Sequence, residues 1–301
     1  MFKHILVPLD GSRMAESALG MATTLAKRFG ASLTLIHVME KDAPSEVHQE
    51  RHLVSAAEAS VYLEEVSSLP ALAGLRVSTH VHESQVSDVA ESVTQHAAEL
   101  APDLIVMSSH GRGGARRLLF GTIAQQIISR GNTPVLVVRP SVSAREEGAQ
   151  WRTVLAPIDG NPAHEKGLPV ATDIARAFRC RLHLLMVVPT VGNLGGMQGA
   201  LSLLLPGATR VKLEMDSAGA REYVAEREKE LTSAGVHAGC ELSRGDPARA
   251  IVKAARRLSA DLVVMGTHGR AGTDAFWAGS VAAHVVNRAS APLLLVPLKE
   301  P

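Results

Sequence analysis

The chain has 301 residues, 46% of them apolar but only 3% aromatic, enough to bury two largely aliphatic cores. Lys and Arg number 31 against 30 Asp and Glu, a net charge of +1, which gives no electrostatic footprint for nucleic acid or anionic lipid. The two cysteines, Cys180 and Cys240, are isolated and no Cys-x-x-Cys occurs, which argues against a disulfide framework and a thiolate zinc site.

Taken in chain order, the first apolar run, Ile5–Leu9, is ended by Asp10 and is too short for a secretory leader. No later run approaches the roughly 20 residues of a membrane span, so a soluble cytoplasmic protein is expected. Further Val/Ile/Leu runs follow at Leu33–Val38, Val77–His82, Leu104–Ser108 and Val135–Arg139. Most are nearly continuous in apolar residues, the mark of parallel strands covered on both faces. Between them Ala15, Ala18, Leu19, Ala22, Leu25, Ala26 and Phe29 recur at helical spacing. The polar stretch RPSVSAREEGAQ, Arg139 to Gln150, reads as a connection.

The series then begins again, with Val154–Ile158, Leu182–Val187, His237–Leu242, Leu262–Gly266 and Leu293–Val296. DLIVMSSHGRGG at Asp103 matches DLVVMGTHGRAG at Asp261, and VPLDGS at Val7 matches APIDGN at Ala156. A repeat of about 150 residues has the size of a domain, not of a solenoid unit. The expected domains are 1–140 and 151–301, with 141–150 as linker. Strand–helix alternation predicts an α/β fold of two tandem doubly wound, Rossmann-like domains, with ligands beyond the carboxyl ends of the strands. The second copy carries an extra Gly- and Leu-rich segment, Thr190 to Arg210, expected to be a surface loop with a buried Leu cluster.

The chemistry gathers after the fourth strand of each copy. The second copy reads Gly266-x2-Gly269-x9-Gly279-Ser280; the first reads Ser108-x2-Gly111-x9-Gly121-Thr122. Glycines admit a phosphate close to the backbone, and turn amides form an anion nest. Gly121-Thr122 and Gly279-Ser280 each open an amphipathic helix, whose N-terminal N–H groups suit an anion. Thr122 also forms a capping box with Gln125. Arg112 and Arg270 follow the second motif glycine, suited to phosphate oxygens or to solvent. Asp10 and Asp159 end the first strand of each copy, as turn formers or as acceptors for ribose hydroxyls and holders of Mg²⁺ through phosphates. His110 and His268 read as loop-ordering residues, because a catalytic base needs a nucleophile within reach and no Ser/Asp pairing repeats in both copies. His80 and His82 share a strand face without an evident third metal ligand. No Gly-x4-Gly-Lys-Ser/Thr occurs, and no Gly-x-Gly-x-x-Gly follows the first strand, which argues against a Walker-type NTPase and a dinucleotide site.

These motifs, with Arg244-Gly-Asp-Pro and the closing PVLVV and PLLLV strands, resemble the universal stress protein family in its tandem two-domain form. The resemblance covers nearly the whole chain. It implies five parallel strands per domain with helices on both faces, of the adenine nucleotide alpha hydrolase-like kind, and ATP, ADP or AMP at the glycine loop. It implies that Pro8, Asp10, Pro157 and Asp159 border the ribose or metal, and that Val38 and Val187 line the adenine pocket. Met107 and Met265 would lie under the nucleotide. Pairing through the fifth strands and a homodimer are implied as well. Ser108 and Ser87 stand where the second copy has Gly266 and Gly245, a departure from the pattern. With no repeated base and nucleophile, the expected role is a nucleotide-binding stress-response sensor or switch. The alternatives are a slow ATP hydrolase and a nucleotide-independent interaction module.

Overall fold

A computed structural model describes residues 1–42, 46–47, 50–51, 53–109, 122–140, 150–194, 196–267 and 281–298. The chain divides into two compact units, one holding residues 1–150 together with the C-terminal strand, the other beginning at Trp151.

In the first unit β1 (His4–Pro8) leads to a short helix α1 (Arg13–Glu16) and to α2 (Leu19–Phe29). β2 (Ser32–Glu40) is followed by two paired two-residue strands, β3 (Glu46–Val47) and β4 (Glu50–Arg51), then α3 (Ala56–Ser67) and β5 (Val77–Val86). α4 (Val89–Leu100), β6 (Leu104–Ser108), α5 (Thr122–Arg130) and β7 (Val135–Val138) complete the repeat. The strands lie in the order β5-β2-β1-β6-β7, all parallel. Right-handed crossovers put α2 and α3 on one face, and α4 with α5 on the other. Both faces of the central strands are therefore covered, and Ile5, Leu6, Leu33, Leu35, Leu104 and Leu136 have no exposed surface. The last strand of the chain, β12 (Leu293–Pro297), pairs antiparallel with β7, Leu294 opposite Leu136.

The second unit repeats the plan. β8 (Thr153–Ile158) is followed by a 3-10 turn at Pro162–His164 and by α6 (Gly167–Phe178). β9 (Arg181–Val188), α7 (Gly196–Leu204), α8 (Pro206–Ser233), β10 (Ala238–Arg244), α9 (Pro247–Arg257), β11 (Leu262–Thr267) and α10 (Val281–Arg288) follow. Its strands run β10-β9-β8-β11, again parallel.

The α/β class and the doubly wound plan agree with the sequence pattern, and three local features differ from it. The helix after the first strand breaks into α1 and α2, because the Ser17 hydroxyl and N–H cap the α1 turn. The Thr190 to Arg210 insertion is mostly helical, with Pro206 at the first turn of α8, where its missing N–H costs nothing. Its leucines are not a buried cluster, since Leu203, Leu204 and Leu205 expose 85%, 75% and 57% of their surface.

Aromatic residues are scarce, yet one aromatic pair recurs. Phe2, just before β1, meets Phe29 at the end of α2 with ring centroids 5.5 Å apart. Trp151 and Phe178 hold the matching positions of the second unit, 4.0 Å apart.

Candidate functional site

In each repeat the strand order reverses direction between the first strand and the fourth, β1 and β6 in one unit, β8 and β11 in the other. Successive crossovers leave these two strands toward opposite faces, which opens a crevice at their carboxyl ends. The registers are the same in both: Leu6 lies opposite Ile105, and Leu155 opposite Val263. Two residues farther along, Pro8 and Met107 reach one crevice, and Pro157 and Met265 the other. Both methionines are buried to the same 7% exposure and form an apolar floor. Val38 lies in the buried run of β2 that ends at Met39, and the half-buried Val187 stands near the end of β9. α5 begins at Thr122, and α10 at Val281, the residue after Ser280, so the expected helix starts stand at these glycine loops. The side chain of Thr122, with Gly111, Arg112, Gly121, Gly269, Arg270, Gly279, Ser280, His110 and His268, lies outside the described residues.

The turn after the first strand is built alike in both copies. Gly11 and Gly160 each take φ +81°, a left-handed conformation that glycine adopts without strain. Asp10 Oδ1 accepts from the Ser12 N–H at 2.9 Å, and Asp159 Oδ1 from the Asn161 N–H at 3.0 Å, each closing an Asx turn. The carboxylates are then ordered differently. The Ser12 hydroxyl donates to Asp10 at 2.6 Å and accepts from the Ala15 N–H, so carboxylate, serine and α1 form one chain of bonds. In the second copy His164 Nδ1 lies 2.6 Å from Asp159 Oδ2, and its Nε2 lies 3.2 Å from Asn161 Nδ2. An acceptor carboxylate selects the Nδ1–H tautomer, leaving Nε2 to accept from the amide.

Behind each turn stands a tie that the sequence reading missed. The chain has two tyrosines, and each donates its hydroxyl to a glutamate of this turn: Tyr62 on α3 to Glu16 at 3.1 Å, Tyr223 on α8 to Glu165 at 2.7 Å. Burial, followed by the bond to Glu165, raises the Tyr223 phenol above its usual pKa. The clue in the sequence was Glu16 and Glu165, which stand at the same offset as Asp10 and Asp159.

Gly167, at the start of α6, brings helix and strand very close: a Cβ there would lie 3.1 Å from the Gly266 nitrogen and 3.2 Å from the Met265 carbonyl carbon. Gly266 itself is not among the glycines with positive φ, and Ser108 is the last residue of β6, so serine at that position brings no left-handed strain. Gly245 does take φ +119°, whereas Ser87 is not among the residues with positive φ; the two turns follow different backbone paths. Both paths end in an Asp that caps the next helix, Asp88 for α4 and Asp246 for α9. Asp88 also meets Arg130 at 2.6 Å, which with the helix N–H bond lowers its carboxyl pKa.

His80 and His82 are joined by His96 from α4, whose Nε2 lies 2.9 Å from His82 Nδ1. Burial, then the neighbouring rings of His96 and His82, lower the His80 pKa. Among the described residues no group of three or more His, Cys, Asp or Glu is arranged to hold a metal ion, and no helix is long and apolar enough to cross a membrane.

Two tandem α/β units, each with a ligand-type crevice at its strand reversal, define the class of protein. Residues 1–139 and 150–297 both match the universal stress protein family model, and the chain belongs to that family. A universal stress protein of Mycolicibacterium smegmatis is 27% identical over 97% of this chain and 96% of its own. A universal stress protein of Synechocystis is 32% identical over 46% of this chain and 86% of its own. Among solved structures, a universal stress protein from Archaeoglobus fulgidus superposes with a TM-score of 0.69 at 14% identity, over 98% of this chain and 96% of its own. A functionally unknown protein from Pseudomonas aeruginosa does so with a TM-score of 0.68 at 18% identity, over 98% and 92%.

Proposed function

We propose that each repeat binds an adenine nucleotide, ATP or its ADP or AMP relatives, and that the protein acts in the stress response as a nucleotide-dependent sensor or switch. The observation that carries this reading is the duplicated carboxylate turn at the strand reversal, where Asp10 and Asp159 follow the strands that pair with the Met107 and Met265 strands. A carboxylate has about four acceptor sites. Asp159 uses them to order its turn and His164 and retains capacity for a ribose hydroxyl. Val38 and Val187, toward the carboxyl ends of β2 and β9, would suit an adenine ring. The phosphates would meet the glycine loops, Gly111 to Gly121 and Gly266 to Gly279, with Thr122 and Ser280 at the helix starts and Arg112 and Arg270 as counter-charges. Any Mg²⁺ at Asp10 or Asp159 would take most of its oxygen ligands from the phosphates and water.

The role is binding rather than rapid turnover, because no base–nucleophile pair recurs in the two copies. The test is native mass spectrometry of protein purified without added nucleotide, alongside Gly111→Val and Gly269→Val. Two adenine nucleotides per chain are expected, each variant losing one of them. A chain that carries none and gains none with Mg-ATP overturns the reading and leaves a nucleotide-independent interaction module.

A further inference from the structure

Helix α8 has two apolar faces. Leu213, Ser217, Ala220 and Val224 recur at helical spacing and are buried against its own unit. On the opposite side Ala208, Val211, Met215 and Ala218 recur at spacings of three and four and are exposed, Val211 by 57% and Met215 by 70%. Leu204 and Leu205, at the entry to the helix, extend this apolar surface. A helix with a single packing partner needs only one such stripe, whereas an a/d-like seam on the second face is the pattern of a helix that pairs with another. The space beside the seam is also open: a Cβ added at Gly207 or Gly219 would meet nothing within 4 Å.

The charges beside the seam identify the occupant. The sequence from Arg210 to Asp216 is RVKLEMD, two cations followed by two carboxylates. Arg210 and Glu214 flank the seam on one side, Lys212 and Asp216 on the other. When two identical helices pack antiparallel about a two-fold axis, the same flank of each faces its equivalent in reverse order. Val211 then lies against Met215 of the other copy, and Ala208 against Ala218. Each cation falls opposite the carboxylate of its own flank, Arg210 to Glu214 and Lys212, which within one helix bonds Asp216 at 2.6 Å, to Asp216 of the other copy. An interface of this kind is isologous, its patch complementary to itself. The same segment suits an anionic membrane poorly, because cations and carboxylates are balanced along it.

We propose that the outer face of α8 is a self-association surface, on which a second copy of this chain docks its own α8 antiparallel. Sedimentation and light scattering on the full chain test this with two double variants, Arg210→Glu with Lys212→Glu, and Glu214→Lys with Asp216→Lys. All four side chains are exposed, so far-UV circular dichroism should be unchanged. The wild type is expected at twice the mass of either variant, each variant at the 31.8 kDa of one chain. Like charges across the seam should weaken association by about tenfold or more. Mixing the two variants should restore the wild-type mass, because opposite flanks then meet again. A wild type of single-chain mass, variants that keep the wild-type mass, or a mixture that does not recover it would each overturn the proposal. Met215→Glu supplies an independent check on the apolar seam, with the same halving of mass expected.

Discussion

The two repeats bury the same aromatic pair in different ways. Phe2 meets Phe29 edge-on, with planes at 87°, while Trp151 lies flat on Phe178, with planes at 12°. Both units place an aromatic pair at the start of the first strand, with a different geometry of contact in each. The same contrast runs through the turn after the first strand of each unit. Asp10 is ordered by a serine hydroxyl and Asp159 by a histidine, yet both turns keep glycine at the same φ. At these turns the backbone shape persists between the copies, and the side chains that order it have diverged.

The sharpest way to break this equivalence is truncation of the aromatic pair. Trp151→Ala should cost about 3–5 kcal/mol, since it removes a large buried side chain that is 3% exposed. Phe2→Ala should cost less, because the smaller ring leaves a smaller void. Urea unfolding of both variants measures the difference, and equal losses would show that the edge and stacked arrangements are energetically alike. A smaller effect is expected where α6 meets β11. The first copy has Ala18, fully buried, in the place of Gly167. Gly167→Ala makes the second copy resemble the first, yet should destabilise it by about 1–3 kcal/mol, because the added methyl meets backbone atoms of β11 rather than a flexible side chain. Unchanged stability would mean that α6 can ride outward as freely as α2 already does. The smallest change lies at the end of these helices. α2 is capped by Gly30 at φ +68°, whereas α6 is capped by Arg179 at φ +52°. Arg179→Gly should therefore raise stability by roughly 0.5–1 kcal/mol, read as a higher urea midpoint at an unchanged slope.

Much of this was legible in the sequence, because the strands are continuous aliphatic runs and the repeat marks each of them twice. The turn at Asp10 and Asp159 could be read from Asp-Gly alone. The ties from Tyr62 and Tyr223 could not, because they join residues far apart in the chain, and periodicity reports only near neighbours. The insertion misled for a physical reason. Its glycines signal a loop, and the apolar residues of α8 occupy two opposite faces, so no single helical stripe stands out. The serines at 87 and 108 depart from the glycine pattern of the second copy, which alone does not say whether the backbone there is left-handed. Only Gly245 takes that conformation, and Ser87 avoids it by a different path.

The antiparallel pairing of β7 with β12 has a consequence for the chain as it is made. β7 ends at Val138, and its neighbour is not synthesised until Leu293. At typical elongation rates of about 5–20 residues per second, roughly 10–30 s separate the two strands on the ribosome. Through that interval a run of Val-Leu-Val-Val presents unpaired backbone groups along an apolar edge, a surface that invites pairing with any other nascent strand. The first unit thus completes this pairing only once Leu293–Pro297 has been made, about 150 residues after β7.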